Sequence, residues 1–165
     1  MKHRTRNAIL LLTLTILLLA ALGCSNLGFQ DGAITVDVTL NASTLNNLVG
    51  KVGVDNGNIV GKIEKIELIE PNIMRITAEY KLGEKTESGS IDFAITTGGD
   101  GVKVEAVNST LPGLEKDSPA VQRFNTALGN ALGAFAAEKD ERAAGITDIK
   151  VKDGSLVFTL SVKVK

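Results

Sequence analysis

The first pattern along the chain is an apolar run. From Ala8 to Leu22 nothing is more polar than Thr13 and Thr15, and Lys2, His3, Arg4 and Arg6 stand in front of it. At about 15 residues the run is shorter than the roughly 20 a spanning helix needs, so it reads as the core of a cleaved secretory signal. The period then changes. Ile34, Val36, Val38 and Leu40 alternate with Thr35, Asp37 and Thr39, which predicts a half-buried strand. Asn41 fits a helix N-cap, and Leu45, Leu48, Val49 and Val52 recur at spacings of three and four, predicting a short helix over 42–52 that ends near Gly53.

A second block of alternation follows. Ile63, Ile66 and Leu68 mark a strand from Lys62, and a turn falls at Glu70-Pro71-Asn72. Met74, Ile76, Ala78, Tyr80 and Leu82 then alternate with Arg75, Thr77, Glu79 and Lys81, the signature of an antiparallel sheet wet on one face. The stretch "GEKTESGS" (83–90) reads as a polar loop. Two more strands carry Ile91, Phe93 and Ile95, then Val102, Val104 and Ala106, with an Asp100-Gly101 hairpin signal between them. Asp92, Glu105 and Asp148 fall at outward or turn positions, where ordinary solvated charge is expected.

Ser118 followed by Pro119 is an N-cap and first-turn proline. Val121, Phe124, Leu128, Ala131, Leu132 and Phe135 mark one face of the long helix this predicts, with Glu138 and Arg142 as an i,i+4 pair and Gly145 as its stop. The chain closes with a hairpin turning at Asp153-Gly154, with Leu156, Phe158, Leu160, Val162 and Val164 facing in.

The order β-α-β-β-β-β-α-β-β predicts an α+β domain: a curved, largely antiparallel sheet of about seven strands wrapped on one long helix, plus a short N-terminal helix. Seven strands make a face roughly 30 Å wide, while a helix is only about 10 Å across, so strand coiling, a partner or a bound apolar molecule must complete the cover. The long helix also holds Gly129 and Gly133 one turn apart among alanines, and each interior Gly costs about 1 kcal/mol relative to Ala. Close helix-to-sheet packing explains this, and so does a slot for an acyl or isoprenoid chain. The candidate lining for such a slot is Ile76, Tyr80, Phe93, Phe124, Leu128, Leu132, Phe135 and Phe158, each of which also suits an ordinary core.

The apolar run ends in Ala20-Ala21-Leu22-Gly23-Cys24, which resembles the lipobox of bacterial lipoproteins, with Ala21 where Leu is usual. The resemblance implies a diacylglycerol on the Cys24 sulfur and cleavage on its amino side. Residues 1–23 are then the signal peptide, 24–32 a lipidated tether and 33–165 a single α+β domain. Each buried acyl methylene contributes about 0.8 kcal/mol, so two or more chains give durable anchoring. The expected address is extracytoplasmic, on a bacterial cell membrane or envelope. Ser25 lacks the Asp that often signals inner-membrane retention.

Composition narrows the chemistry. Without Lys2, Arg4 and Arg6, 15 basic residues face 19 acidic ones, a net charge near −4, the wrong sign for a nucleic-acid binder. The single histidine is His3 and the single cysteine is Cys24. The mature part thus has no imidazole and no free thiol, which removes Ser-His-Asp and Cys-His catalysis and the usual zinc ligand sets. No cofactor or metal site and no catalytic residue is expected.

"ITVDVTLNASTLNNLV", "VQRFNTALGNALGA" and "ITDIKVKDGSLVFTL" resemble corresponding stretches of LmeA-like bacterial lipoproteins, related to the tubular lipid-binding (TULIP-like) superfamily. The resemblance implies a curved sheet around a long helix and a groove for phospholipid or a similar amphiphile. The expectation is a membrane-anchored, non-enzymatic lipoprotein that binds or handles a lipid or other apolar ligand. The alternative is an envelope adaptor or structural module that binds another protein.

Overall fold

The computed structural model describes residues 27–30, 33–55, 62–82, 84–99, 101–139 and 143–162. In chain order the elements are β1 (Leu27–Gln30), β2 (Ala33–Leu40), α1 (Ala42–Asp55), β3 (Lys62–Ile69), β4 (Ile73–Leu82), β5 (Lys85–Gly98), β6 (Gly101–Ser109), α2 (Pro119–Lys139), β7 (Ala143–Lys152) and β8 (Ser155–Val162). The fold is α+β, and every strand pairing is antiparallel.

The strands form two four-stranded sheets, ordered β1-β2-β8-β7 and β3-β4-β5-β6, where the sequence predicts one sheet of about seven. The reason lies in the connections. β3 to β6 are a meander of successive hairpins, which closes on itself locally, whereas β2 leads into α1 and finds its partner β8 more than a hundred residues later. Hydrophobic periodicity carries no mark of where one sheet stops. Each four-stranded sheet is only about 15–20 Å wide, and residues of both sheets and both helices share one core. The sheets therefore bury their apolar faces in an interior that both helices share.

Local chemistry explains the element ends. The Thr44 amide donates to Asn41 Oδ1 at 2.9 Å and the Leu45 amide to the Asn41 carbonyl at 3.0 Å, so Asn41 caps α1. Ser118 does the same for α2, its Oγ accepting from the Val121 amide at 3.3 Å. The β7–β8 turn places Asp153 at φ 50° and Gly154 at φ 69°, left-handed at both positions as a two-residue hairpin requires. Two hydrogen bonds tie the hairpins together: Ile95 N to the Asn72 carbonyl at 2.9 Å, and Val151 N to the Pro71 carbonyl at 2.6 Å.

Four boundaries differ from the sequence reading. The "GEKTESGS" loop is mostly strand, because β4 and β5 pair out to Leu82 opposite Lys85. Gly145 does not stop α2, which is described to Lys139, but lies within β7 opposite Ser161, at one of that strand's bulges. Leu27–Gln30, placed in the tether by sequence, are a strand paired with β2. Helix α1 runs on past Gly53 to Asp55.

Candidate functional site

α2 is the element around which the candidate site is built. Its buried face carries Val121, Phe124, Leu128, Leu132 and Ala136, all at 1% exposure or less. Phe124 packs against Phe93 with ring centroids 5.4 Å apart, and Phe135 against Phe158 at 6.4 Å, both tilted. The interior between α2 and the sheets is thus filled by side chains.

On one flank of α2 an open groove of about 400 Å³ runs between the two helices. Its α1 wall is Leu48 and Val52, with Lys51 beside them, and its α2 wall is Ala127, Ala131, Ala134 and Phe135. Glu138 stands at the end of that wall and, like Lys51, is exposed. The volume lies in the lower part of the roughly 300–1,000 Å³ range of small-molecule sites. Apolar walls with one cation and one anion at the margin suit an amphiphile, each buried methylene of which contributes about 0.8 kcal/mol.

The other flank faces β6. A Cβ on Gly129 would lie 2.8 Å from the Val102 carbonyl oxygen, so the helix and strand approach closely enough to require glycine there. A second open space of about 460 Å³ borders this contact, lined by Gly98, Gly101, Gly129, Gly133 and Gly145 together with Asn130. One turn before Gly129, Asn125 is 5% exposed, and neither its amide nitrogen nor its amide oxygen has a hydrogen-bond partner. A buried amide left in this state costs about 1–3 kcal/mol.

The residues expected to line a ligand site divide accordingly. Ile76, Phe93, Phe124, Leu128, Leu132 and Phe158 lie in the closed core. Phe135 is half-buried and borders the interhelical groove. Tyr80 sits in β4 opposite Glu87, with its side chain outside the described set. Cys24 and Arg142 also lie outside the described residues. Leu48, Lys51, Val52, Ala127, Ala134 and Glu138 were not anticipated as a site. Their signal was faint but present: alanines at 127, 131 and 134 leave room where a packed face would carry larger side chains.

The strongest electrostatic feature lies elsewhere, on the second sheet. Arg75 donates Nε to Asp92 Oδ1 at 2.6 Å and a terminal nitrogen to Asp92 Oδ2 at 2.9 Å, a bidentate pair across β4 and β5. These hydrogen bonds hold the Asp92 carboxyl below its ordinary range, against the opposing effect of burial. Asp92 is 8% exposed, so the expectation of a solvated charge is corrected here. The Lys103 ammonium, 2.8 Å from Glu105, likewise lowers that exposed carboxyl. Among the described residues no cluster of three His, Cys, Asp or Glu converges, and no helix is long and apolar enough to cross a membrane.

No protein-family model matches the chain, and no curated protein and no solved structure matches it.

Proposed function

We propose that this chain is a membrane-anchored, extracytoplasmic lipoprotein that binds an acyl chain or similar apolar ligand without catalysing a reaction. The lipid on Cys24 supplies the anchor, and the groove between α1 and α2 supplies the binding site. The observation that carries the reading is that groove: an open, largely apolar cleft flanked by Lys51 and Glu138, beside a closed core. In this reading the two sheets curve about α2 and leave its α1-facing flank free for the guest. The sequence supports the non-catalytic part, since residues 25–165 contain neither histidine nor cysteine.

The experiment has two arms. The full chain is expressed in a bacterium fed labelled palmitate, and the purified protein is titrated with a fluorescent fatty acid. The reading expects label in the wild type and none in Cys24→Ser, together with saturable probe binding that a non-fluorescent fatty acid competes away. Unlabelled wild-type protein sinks the anchor, and a probe that never saturates sinks the carrier.

A further inference from the structure

We propose that β3 is a self-recognition edge: two copies of this chain join β3 to β3, antiparallel about a twofold axis, through the run "KIEKIE" at residues 62–67. The inference stands apart from the anchor and the carrier and needs neither. In the order β3-β4-β5-β6, β3 pairs with β4 on one side and with no described strand on the other. Its outer edge therefore presents backbone N–H and C=O groups, a ready template for another strand. The other edges differ. β1 has only four residues, and the starts of β6 and β7 border one space beside α2. β3 runs for eight residues, with Lys62, Glu64 and Lys65 exposed along it.

The residues on this edge match their own reversal. Read from the other end, "KIEKIE" becomes "EIKEIK". An antiparallel copy thus sets Lys62 opposite Glu67, Ile63 opposite Ile66 and Glu64 opposite Lys65. The twofold repeats each contact, so four Lys–Glu and two Ile–Ile pairs form across the seam. Opposite charges and apolar side chains that face each other across strands both stabilise a sheet. A slip of one residue either way sets Glu64 against Glu64 or Lys65 against Lys65, and like charges so placed repel. A row of lysines alone would fend off any strand. The alternating signs here admit a strand of the reversed pattern, which a second copy supplies.

The bulge in β3 completes the match. Directly opposed residues of an antiparallel pair share a face of the sheet, and in a regular strand Ile63 and Ile66, three apart, would point to opposite faces. In β3 the register with β4 shifts between Ile63 and Lys65. Ile63 and Ile66 consequently both pack against the core, and Glu64 and Lys65 between them are both exposed. A copy related by a twofold perpendicular to the sheet keeps its core on the same side, so the isoleucines meet inside and the charges outside. The charges are available. Lys65 contacts Glu67 of its own strand at 2.7 Å and Lys62 reaches Glu79 at 3.8 Å, exposed pairs that hold a side chain only weakly. Two four-stranded sheets then become one continuous sheet.

The test uses the full chain in three forms, each made with two different affinity tags: wild type, an all-acid edge (Lys62→Glu with Lys65→Glu) and an all-base edge (Glu64→Lys with Glu67→Lys). Pairs are co-expressed in a bacterium and purified in detergent with a reductant, so that Cys24 forms no disulfide. Wild type is expected to carry the second tag through purification on the first, and to sediment in density-matched detergent as two chains. Two all-acid chains, or two all-base chains, should co-purify at least about tenfold less. An all-acid chain with an all-base chain should recover the wild-type yield, which a misfolded variant would not do. Wild type that sediments as one chain overturns the proposal. Same-charge pairs that co-purify as well as wild type place the contact elsewhere and overturn it too. So does an all-acid and all-base mixture that stays apart while each variant keeps the wild-type urea midpoint.

Discussion

Along α2, small residues fall on both flanks of the helix, yet the two flanks meet different neighbours. Toward β6, Gly129 is pressed against the Val102 carbonyl, with 2.8 Å between that oxygen and where a Cβ would stand. Toward α1, Ala127, Ala131 and Ala134 face open space across from Leu48 and Val52. The same composition thus serves close contact on one side and a vacant channel on the other. A small side chain in a helix records only that a neighbour is near or that none is present, and sequence does not distinguish the two. The aliphatic flank is the one with the chemistry of a binding site; the glycine flank exposes more backbone and contains the orphaned Asn125 amide.

The largest effect should come from filling the tight flank. Gly129→Val sets side-chain atoms against backbone that has no rotamer to yield, and over-packing of this kind costs about 2–3 kcal/mol. Urea unfolding should show the loss, and a midpoint equal to that of wild type would mean the helix does not approach β6 as described.

A variant away from both flanks separates stability from binding. Arg75→Leu leaves the buried Asp92 carboxylate without its bidentate partner and should lower the urea midpoint near neutral pH. Since the native pKa of Asp92 is lowered, the contribution of the pair is complete above the unfolded value of about 4 and is lost as pH falls through the native one. The stability gap between variant and wild type should narrow as pH falls below about 5, while probe binding at neutral pH stays unchanged. A gap constant across that range would remove Asp92 as its source.

Ala131→Phe fills the α1-side groove. Fatty-acid probe affinity should fall at least about tenfold, or about 1.4 kcal/mol, with the unfolding midpoint nearly preserved. Retained affinity would place the ligand elsewhere. The smallest effect is on the glycine flank, where a Cβ on Gly133 would meet only atoms 3.9 Å away, an ordinary contact. Gly133→Ala should stabilise the protein by about 0.5–1 kcal/mol through helix propensity. Opposite signs at Gly129 and Gly133, one turn apart, are the sharpest test of the contrast.

Much of the fold was legible because it is local. The Asn41 and Ser118 caps, the stripes of α1 and α2, and the Asp153-Gly154 turn each follow from residues within one or two turns of chain, and the structure places all of them as the pattern implied. The β4–β5 hairpin was missed between Lys85 and Ser90 because its strand is polar there, and Gly89 lacks the side chain that would betray alternation. That omission hid the register which sets Arg75 opposite Asp92, and so the part-buried ion pair went unread.

By itself the sequence determined the elements, their class and the apolar faces they must bury, because caps, turns and periodicity act over a few residues. Only the tertiary structure decided that the strands divide into two sheets, that α1 stops short of closing over Ala127 and Ala131, and that Gly129 is a contact rather than a gap. Those outcomes depend on how distant segments meet: β2 with β8, α1 with α2, α2 with β6. Pairing across such separations is set by the summed packing of the whole chain, and no short stretch of residues carries its record.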